Sequence, residues 1–263
     1  MNNLKEDLEF IADNGYIIKN NILETNYCKR CINYLENDFS GNKLNIPQTS
    51  IPYFYSNFNE KSIIYKILEN DEIHKIIKGV LGPNYKLLWF KIFNKIKWIG
   101  QDVEYHQEYI YNKNSKINMN ESFQLFLALD NHTIENGCLK ILPKMHNNLL
   151  KHDEFIDRHG DHKHRVNCDI LTDGVNKHGI VDCILNPGDC VFFSDTTPHG
   201  SGSNPSPNDR YGVSISFLKG DVNIDTNFRE QNYFDRKQKS KIYLETLLKK
   251  NVNQSTNTPN IFL

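Results

Sequence analysis

The sequence predicts a mainly β fold with flanking helices, on three observations. Helical periodicity is confined to the stretch before Tyr85 and to 235–250. After Tyr85, short runs rich in β-branched and aromatic residues follow one another, bounded by Gly, Pro, Asn and Asp. Many short strands joined by turns, with few helices among them, suit a closed or double-sheet architecture: a barrel, a sandwich or a jelly roll.

Residues 4–14 and 25–38 read as helices, because Leu4, Leu8, Ile11 and then Cys28, Cys31, Ile32, Leu35 recur at helical spacing. Tyr16-Ile17-Ile18, after Gly15, reads as a short strand between them. Further helices are expected over 61–68 and 72–81, the latter stopped by Gly82-Pro83. Strand-like runs cover 86–95, 103–111, 122–129, 139–142, 179–185, 190–193 and 211–218. Pro187-Gly188-Asp189 is a tight turn feeding the apolar Cys190-Val191-Phe192-Phe193. Residues 144–177 are polar and weakly patterned, and read as a long excursion of the kind that forms lids. A basic helix is expected over 235–250, followed by a loosely held Asn/Ser/Thr-rich end. No internal repeat interrupts this order. The expectation is one domain over 1–263, with an N-terminal helical region (residues 1–84), a β core (residues 85–220) and a helical extension (residues 221–263).

Composition narrows the function classes. A chain of 263 residues, 38% hydrophobic and 24% charged, has room for one large core. A net charge of −1 and a pI near 6.8 supply no global field for nucleic acid or a membrane surface. Mean hydropathy is −0.59, and no apolar run approaches the roughly 20 residues of a membrane span. The acidic, polar start does not read as a secretory leader, so a cytoplasmic location is expected, with a small-molecule substrate and the oligomeric state open. Of six cysteines only Cys28-x-x-Cys31 has ligand spacing. No second pair completes a zinc site, and the segment is helical in pattern, so reduced structural thiols are expected.

A non-haem iron(II) site takes two imidazoles and one carboxylate on one face of the metal. On a strand, residues i and i+2 point the same way, so His-x-Asp/Glu supplies two of these ligands together. Three stretches match: His106-Gln107-Glu108, His152-Asp153-Glu154 and His159-Gly160-Asp161. The last two lie in the polar excursion, whose histidines, His162, His164 and His178 included, are expected to be solvated on irregular backbone. His106 and Glu108 fall in the 103–111 run, an expected strand. Downstream, His199 is followed across a turn-rich segment by Arg210, which is expected to place them on neighbouring strands of one sheet. An imidazole ligates a transition metal, and a guanidinium clamps a carboxylate bidentately. Each histidine alone has an ordinary reading as a half-buried side chain, and Arg210 as a surface ion-pair partner. The four in this order point to a metal centre with an acid-binding neighbour.

With these residues in place, the chain resembles the phytanoyl-CoA dioxygenase family of Fe(II)/2-oxoglutarate oxygenases, over roughly residues 8–218. The resemblance runs through Phe10-Ile11-Ala12-Asp13-Asn14-Gly15-Tyr16, Val80-Leu81-Gly82-Pro83, Phe93-Asn94-Lys95 and His106-Gln107-Glu108. It continues through Glu135-Asn136-Gly137-Cys138-Leu139, Leu142-Pro143 with His146, and Pro187-Gly188-Asp189. Its most specific stretch is His199, Ser201, Asn204, Ser206 and Arg210, matching a His-x-Ser-x-x-Asn-x-Ser-x-x-x-Arg signature. There are two departures. Glu108 stands where the family usually has Asp, which keeps an oxygen donor and argues against halogenation. Pro143-Lys144-Met145-His146 replaces the family's Pro-Gly-Ser-His turn.

The resemblance implies a double-stranded β-helix core, the jelly-roll or cupin-like fold. It implies that His106, Glu108 and His199 hold Fe(II), that 2-oxoglutarate and O2 are cosubstrates, and that Arg210, assisted by Ser201, holds the distal carboxylate of 2-oxoglutarate. Lys91, on the strand before the metal motif, is a further cosubstrate candidate. Tyr109, Tyr111, Trp98 and Gln101 are candidate substrate contacts. Hydroxylation of an unactivated C–H, with release of succinate and CO2, is the expected outcome. Desaturation or ring formation on the same fold, or a binding protein without catalysis, are the alternatives.

Overall fold

A computed structural model describes residues 4–38, 42–45, 53–56, 61–98, 100–113, 116–154 and 164–222. The expected helix at 235–250 and the His159-Gly160-Asp161 motif lie outside the described residues. The helices are α1 (Leu4–Asn14), α2 (Thr25–Asn33), α3 (Asp71–Leu81) and α4 (Cys168–His178). The strands are β1 (Tyr16–Lys19), β2 (Asn42–Asn45), β3 (Tyr53–Ser56), β4 (Tyr85–Lys95), β5 (Val103–His106), β6 (Ser122–Ala128) and β7 (Leu139–Ile141). They continue as β8 (His152–Glu154), β9 (His164–Val166), β10 (Val181–Asp182), β11 (Cys190–Ser194), β12 (His199–Ser201) and β13 (Arg210–Lys219).

Two sheets face each other as a jelly roll. The large one has seven strands in the order β1-β11-β6-β13-β4-β3-β2, the small one four in the order β10-β7-β12-β5. β6 and β11 are largely apolar on both faces because both faces are buried, whereas β13 alternates Tyr211, Val213, Ile215 and Phe217 with Gly212, Ser214 and Ser216. On β6, Phe123, Leu125 and Leu127 pack outward against Cys28 and Cys31 of α2 and Ile73, Ile76 and Ile77 of α3. Phe126 and Ala128 pack inward, between the sheets, with Leu139 and Ile141 of β7 and Val191 and Phe193 of β11. α3 presents Ile73, Ile76, Ile77 and Leu81 on one face, each contributing about 1.5–3 kcal/mol on full burial. Asn70 caps it by accepting from the N–H groups of Glu72 and Ile73.

Several expectations change. β1, β2 and β3 join the large sheet, so the β architecture reaches across the expected boundary at 84. The helix expected over 25–38 is α-helical only to Asn33 and continues as a π-helical turn, Tyr34–Asp38. Over 61–68 the helix shrinks to a 3-10 turn, Tyr65–Glu69, because Asn70 is used to start α3. The polar excursion is not irregular: it holds the β8–β9 hairpin and α4. α4 buries only Gly174, so it lacks the apolar stripe by which helices are recognised in sequence. In the departed turn, Lys144 adopts φ 63, keeping the left-handed shape a glycine takes freely, and its N–H donates to Asn14 O. All six cysteines are free; burial pushes Cys28 up to about 11 and Cys31 up to about 12, as inert core thiols require. Among the described residues no helix is long and apolar enough to cross a membrane.

Candidate metal centre

His106 ends β5 and stands directly opposite His199 on β12. Their rings lie 4.4 Å apart, and each Nε2 is 3.5 Å from Glu108 Oε1. One ligand atom from each of the three residues lies within 4.8 Å of the others. The imidazoles are oriented by backbone carbonyls two residues earlier in the chain. His106 Nδ1 donates to Glu104 O at 2.8 Å, and His199 Nδ1 to Thr197 O at 2.9 Å. That fixes the tautomer and turns both Nε2 lone pairs toward the carboxylate, as a metal site demands. Burial and the neighbouring His106 lower the His199 pKa, favouring the neutral ligating form. Burial acts to raise Glu108, but the two imidazoles beside it outweigh that and hold the carboxylate well below its usual range.

Glu108 does not reach this position along a strand, as i, i+2 alternation predicted. β5 stops at His106, and Glu108 opens a 3-10 turn, Glu108–Tyr111. The residue between them makes the bend. Gln107 is fully buried, and its side-chain amide donates to Asn148 O at 2.9 Å and to Thr196 O. Its Oε1 accepts from Leu150 N–H at 2.8 Å, while its own N–H donates to His152 Nε2 at 3.3 Å. The loop after β7 and the turn after β11 are thus tied to one amide, and Glu108 leaves the strand under that constraint. Nothing in the sequence signals this beyond a glutamine between two ligands.

His199 and Arg210 are on adjacent strands of the chain but not of one sheet. β12 belongs to the small sheet and β13 to the large one, so the two residues stand on facing sheets of the jelly roll. The turn between them is built by the signature itself. Asn204 donates to Lys95 O at 2.8 Å and Asn208 O at 2.9 Å, and accepts from Ser206 Oγ at 2.7 Å. Arg210 is buried opposite Lys95 of β4, with its guanidinium 5.8 Å over the Phe126 ring. Its Nη1 donates to Gly137 O, while its Nε has no hydrogen-bond partner among the described residues. Gly137 sits at φ 73, and a Cβ there would lie 2.2 Å from Gly202 O, so only glycine fits.

Lys95 is the site residue that sequence reasoning missed. Its buried ammonium donates to Ser201 Oγ at 2.7 Å and to Gly202 O. Burial first, and then Arg210, hold its pKa well below that of a free lysine. Burial likewise lowers Arg210, to about 10. Among the described residues neither cation makes a salt bridge. Lys91, the lysine singled out from sequence, shares this face of β4, but its Nζ lies 4.8 Å over the Trp89 ring, and its register partner is Ser214 rather than Arg210. Strand parity allows both lysines; only the pairing of β4 with β13 selects Lys95.

Tyr111 packs edge-on against His106 at 6.0 Å and meets His164 of β9 at 5.7 Å. The excursion's hairpin therefore lies over the ligand strand, and His152, expected to be solvated, is half-buried as the acceptor for Gln107. Tyr109 is half-buried, with its N–H on Asp195 O at 2.9 Å. Trp98 and Gln101 flank Gly100, whose backbone bridges to Asn204 in the β12–β13 turn, and Trp98 is 63% exposed.

A jelly roll with two histidines and a carboxylate converging between its sheets is the architecture of a metal-dependent oxygenase fold. The chain matches the phytanoyl-CoA dioxygenase (PhyH) family over residues 55–212, more than half its length, and belongs to that family. The peroxisomal phytanoyl-CoA dioxygenase of Mus musculus is 28% identical over 178 residues, covering 62% of this chain and 48% of the relative. The phytanoyl-CoA dioxygenase domain-containing protein 1 homolog of Dictyostelium discoideum is 25% identical over 159 residues, covering 59% and 54%. The chain thus spans about half the length of these curated relatives. Among solved structures, EctD from S. alaskensis in its apoform matches with a TM-score of 0.70 at 15% identity, over 85% of this chain and 79% of that one. The epimerase SnoN, in complex with Fe3+, alpha ketoglutarate and nogalamycin RO, matches at 0.62 and 14% identity, over 82% and 83%. Both share the fold.

Proposed function

We propose that this protein is a non-haem Fe(II)/2-oxoglutarate-dependent dioxygenase, acting as one oxygenase domain, that hydroxylates an unactivated C–H of a small metabolite with release of succinate and CO2. The observation that carries this reading is the convergence of His106 Nε2, Glu108 and His199 Nε2 beside a buried pair of cations that makes no salt bridge among the described residues. The donor set fits Fe(II), which two neutral imidazoles and one carboxylate would hold. The cation pair fits a dicarboxylate. Ser201 is two residues beyond His199 on β12, so about 7 Å of strand separates the ligand from the hydroxyl that meets Lys95.

In this arrangement Arg210 and Lys95 bind the distal carboxylate of 2-oxoglutarate, and Ser201 orients it. Arg210 supplies a fork whose charge survives at every working pH, and Lys95 adds a point charge. Phe126 and Phe193 keep water from the inner end, where these interactions gain strength. Iron with 2-oxoglutarate and O2 supplies the oxidising power, and the protein supplies binding, orientation and water exclusion. The name of the curated relatives points to an acyl-CoA substrate, but no basic phosphate cradle is legible among the described residues, and a small polar or amphiphilic metabolite is the better fit.

The test is to mix the anaerobic protein with Fe(II) and 2-oxoglutarate and record the visible metal-to-ligand charge-transfer band. The band is expected in the wild type and absent in His199→Ala. No band in the wild type, or an unchanged one in the variant, overturns the assignment. Succinate release that depends on added substrate separates an enzyme from a binding protein.

A further inference from the structure

The inward face of the large sheet carries polarity that neither the ligand set nor the cation pair uses. Phe126 of β6 packs between the sheets, so Gln124, two positions earlier on the strand, shares that face. Gln124 stands opposite Phe193 on β11 and opposite Ser216 on β13, and Ser216 stands opposite Trp89 on β4. Four strands therefore present a row in the order Phe193, Gln124, Ser216, Trp89. Its first member ties the row to the candidate centre, because the Phe193 ring lies 4.6 Å from that of His199. The two middle members are 1% and 0% exposed. Gln124 Oε1 and Ser216 Oγ have no hydrogen-bond partner among the described residues.

Buried polar atoms are nearly always paired, and an unmet pair of them side by side in a well-packed sheet calls for a ligand. We infer that Gln124 and Ser216 form a polar subsite that binds a hydroxyl or carboxamide group of the substrate. The inference rests on the oxygenase reading for the identity of the adjoining centre, and it deepens that reading by stating a substrate class. A carboxamide offers both donor and acceptor, a serine hydroxyl one donor and two acceptor lone pairs, so the pair matches a group that donates and accepts. Phe193 and Trp89, at the two ends of the row, suit the apolar carbons around that group. A saturated hydrocarbon chain placed here leaves both polar atoms unmet, and a site built to hydrogen-bond its substrate rejects such an analogue. The substrate is therefore a hydroxylated or amide-bearing small molecule rather than a bare alkyl chain.

The experiment uses ligand-observed NMR on the anaerobic Fe(II)–2-oxoglutarate protein with three probes: cyclohexanol, cyclohexanecarboxamide and methylcyclohexane. The wild type is expected to bind the two polar probes more tightly than methylcyclohexane. In Gln124→Leu and in Ser216→Ala their Kd rises about fivefold to tenfold, while that of methylcyclohexane holds or falls. Ser216→Ala, the milder change, carries the test if Gln124→Leu fails to fold. Absence of the polar preference in the wild type, or polar binding unchanged in both variants, overturns the subsite. A wild type without the charge-transfer band overturns the oxygenase reading instead, so the two failures are distinguishable.

Discussion

The two sheets of the jelly roll divide the chemistry of the site between them. The small sheet carries His106 and His199, neutral groups whose Nδ1 atoms are satisfied by carbonyls two residues away. The large sheet carries Lys95 and Arg210, two buried cations in register with each other and without a salt bridge among the described residues. The imidazoles of the small sheet are thus oriented before any ligand arrives, because each Nδ1 is paired with a carbonyl two residues earlier. The large sheet holds a desolvation cost that a bound anion would relieve. Orientation is intrinsic on one side, and affinity is stored on the other.

The largest expected effect breaks the small-sheet half. Glu108→Ala removes the one anionic ligand and raises the Kd for Fe(II) by more than ~100-fold, since even indirect supporting groups are worth 10–100-fold. Isothermal titration with Fe(II) under anaerobic conditions measures it, and a modest change would show that Glu108 is not a ligand. Next comes the large-sheet half. Arg210→Leu weakens 2-oxoglutarate by roughly 30–100-fold, the cost of leaving one member of a buried charge pair alone. Iron affinity stays unchanged, and a parallel loss of both would merge the two halves into one.

Lys95→Met sharpens the comparison, because it acts in opposite directions on the free and bound protein. It weakens 2-oxoglutarate by about tenfold, about 1.4 kcal/mol, yet relieves a desolvated charge in the free protein. The sign follows from the lowered pKa. Between that depressed value and the ordinary 10.5, the unfolded chain binds more protons than the folded one, so Lys95 makes stability rise with pH. Urea unfolding of the wild type minus that of Lys95→Met, followed toward pH 10.5, should therefore climb. A flat difference would mean that the ammonium is not desolvated in the fold.

Smaller effects lie at the edge of the site. Gln107→Leu removes the amide that joins Asn148, Leu150 and Thr196, and is expected to weaken Fe(II) binding by roughly tenfold with 2-oxoglutarate contacts intact. Anaerobic titration with each ligand in turn reads that split. Trp98→Ala, at an exposed position beside the β12–β13 turn, should change stability by less than about 0.5 kcal/mol and leave the charge-transfer band alone.

Local pattern made much of this legible. β4, β6, β11 and β13 are runs rich in β-branched and aromatic residues, and their sequence limits match the structure to within one or two residues. α4 and the β8–β9 hairpin were not legible, because they bury few apolar side chains and so leave no periodic trace. His106, Glu108, His199 and Arg210 stood out by residue type and order. Their geometry did not: alternation along a strand put Glu108 on β5, where a buried glutamine instead bends it into a 3-10 turn. Lys91 and Lys95 were equivalent by parity.

The sequence by itself determined the types of the elements that bury an apolar face, the order of the site residues and those apolar faces, because these follow from backbone propensity and from spacing along one chain. Only the tertiary structure decided which sheet each residue joins, which lysine meets Arg210 and which buried polar atoms stay unmet. Those depend on the register between strands far apart in sequence, and register is set by packing the two sheets together rather than by any one strand.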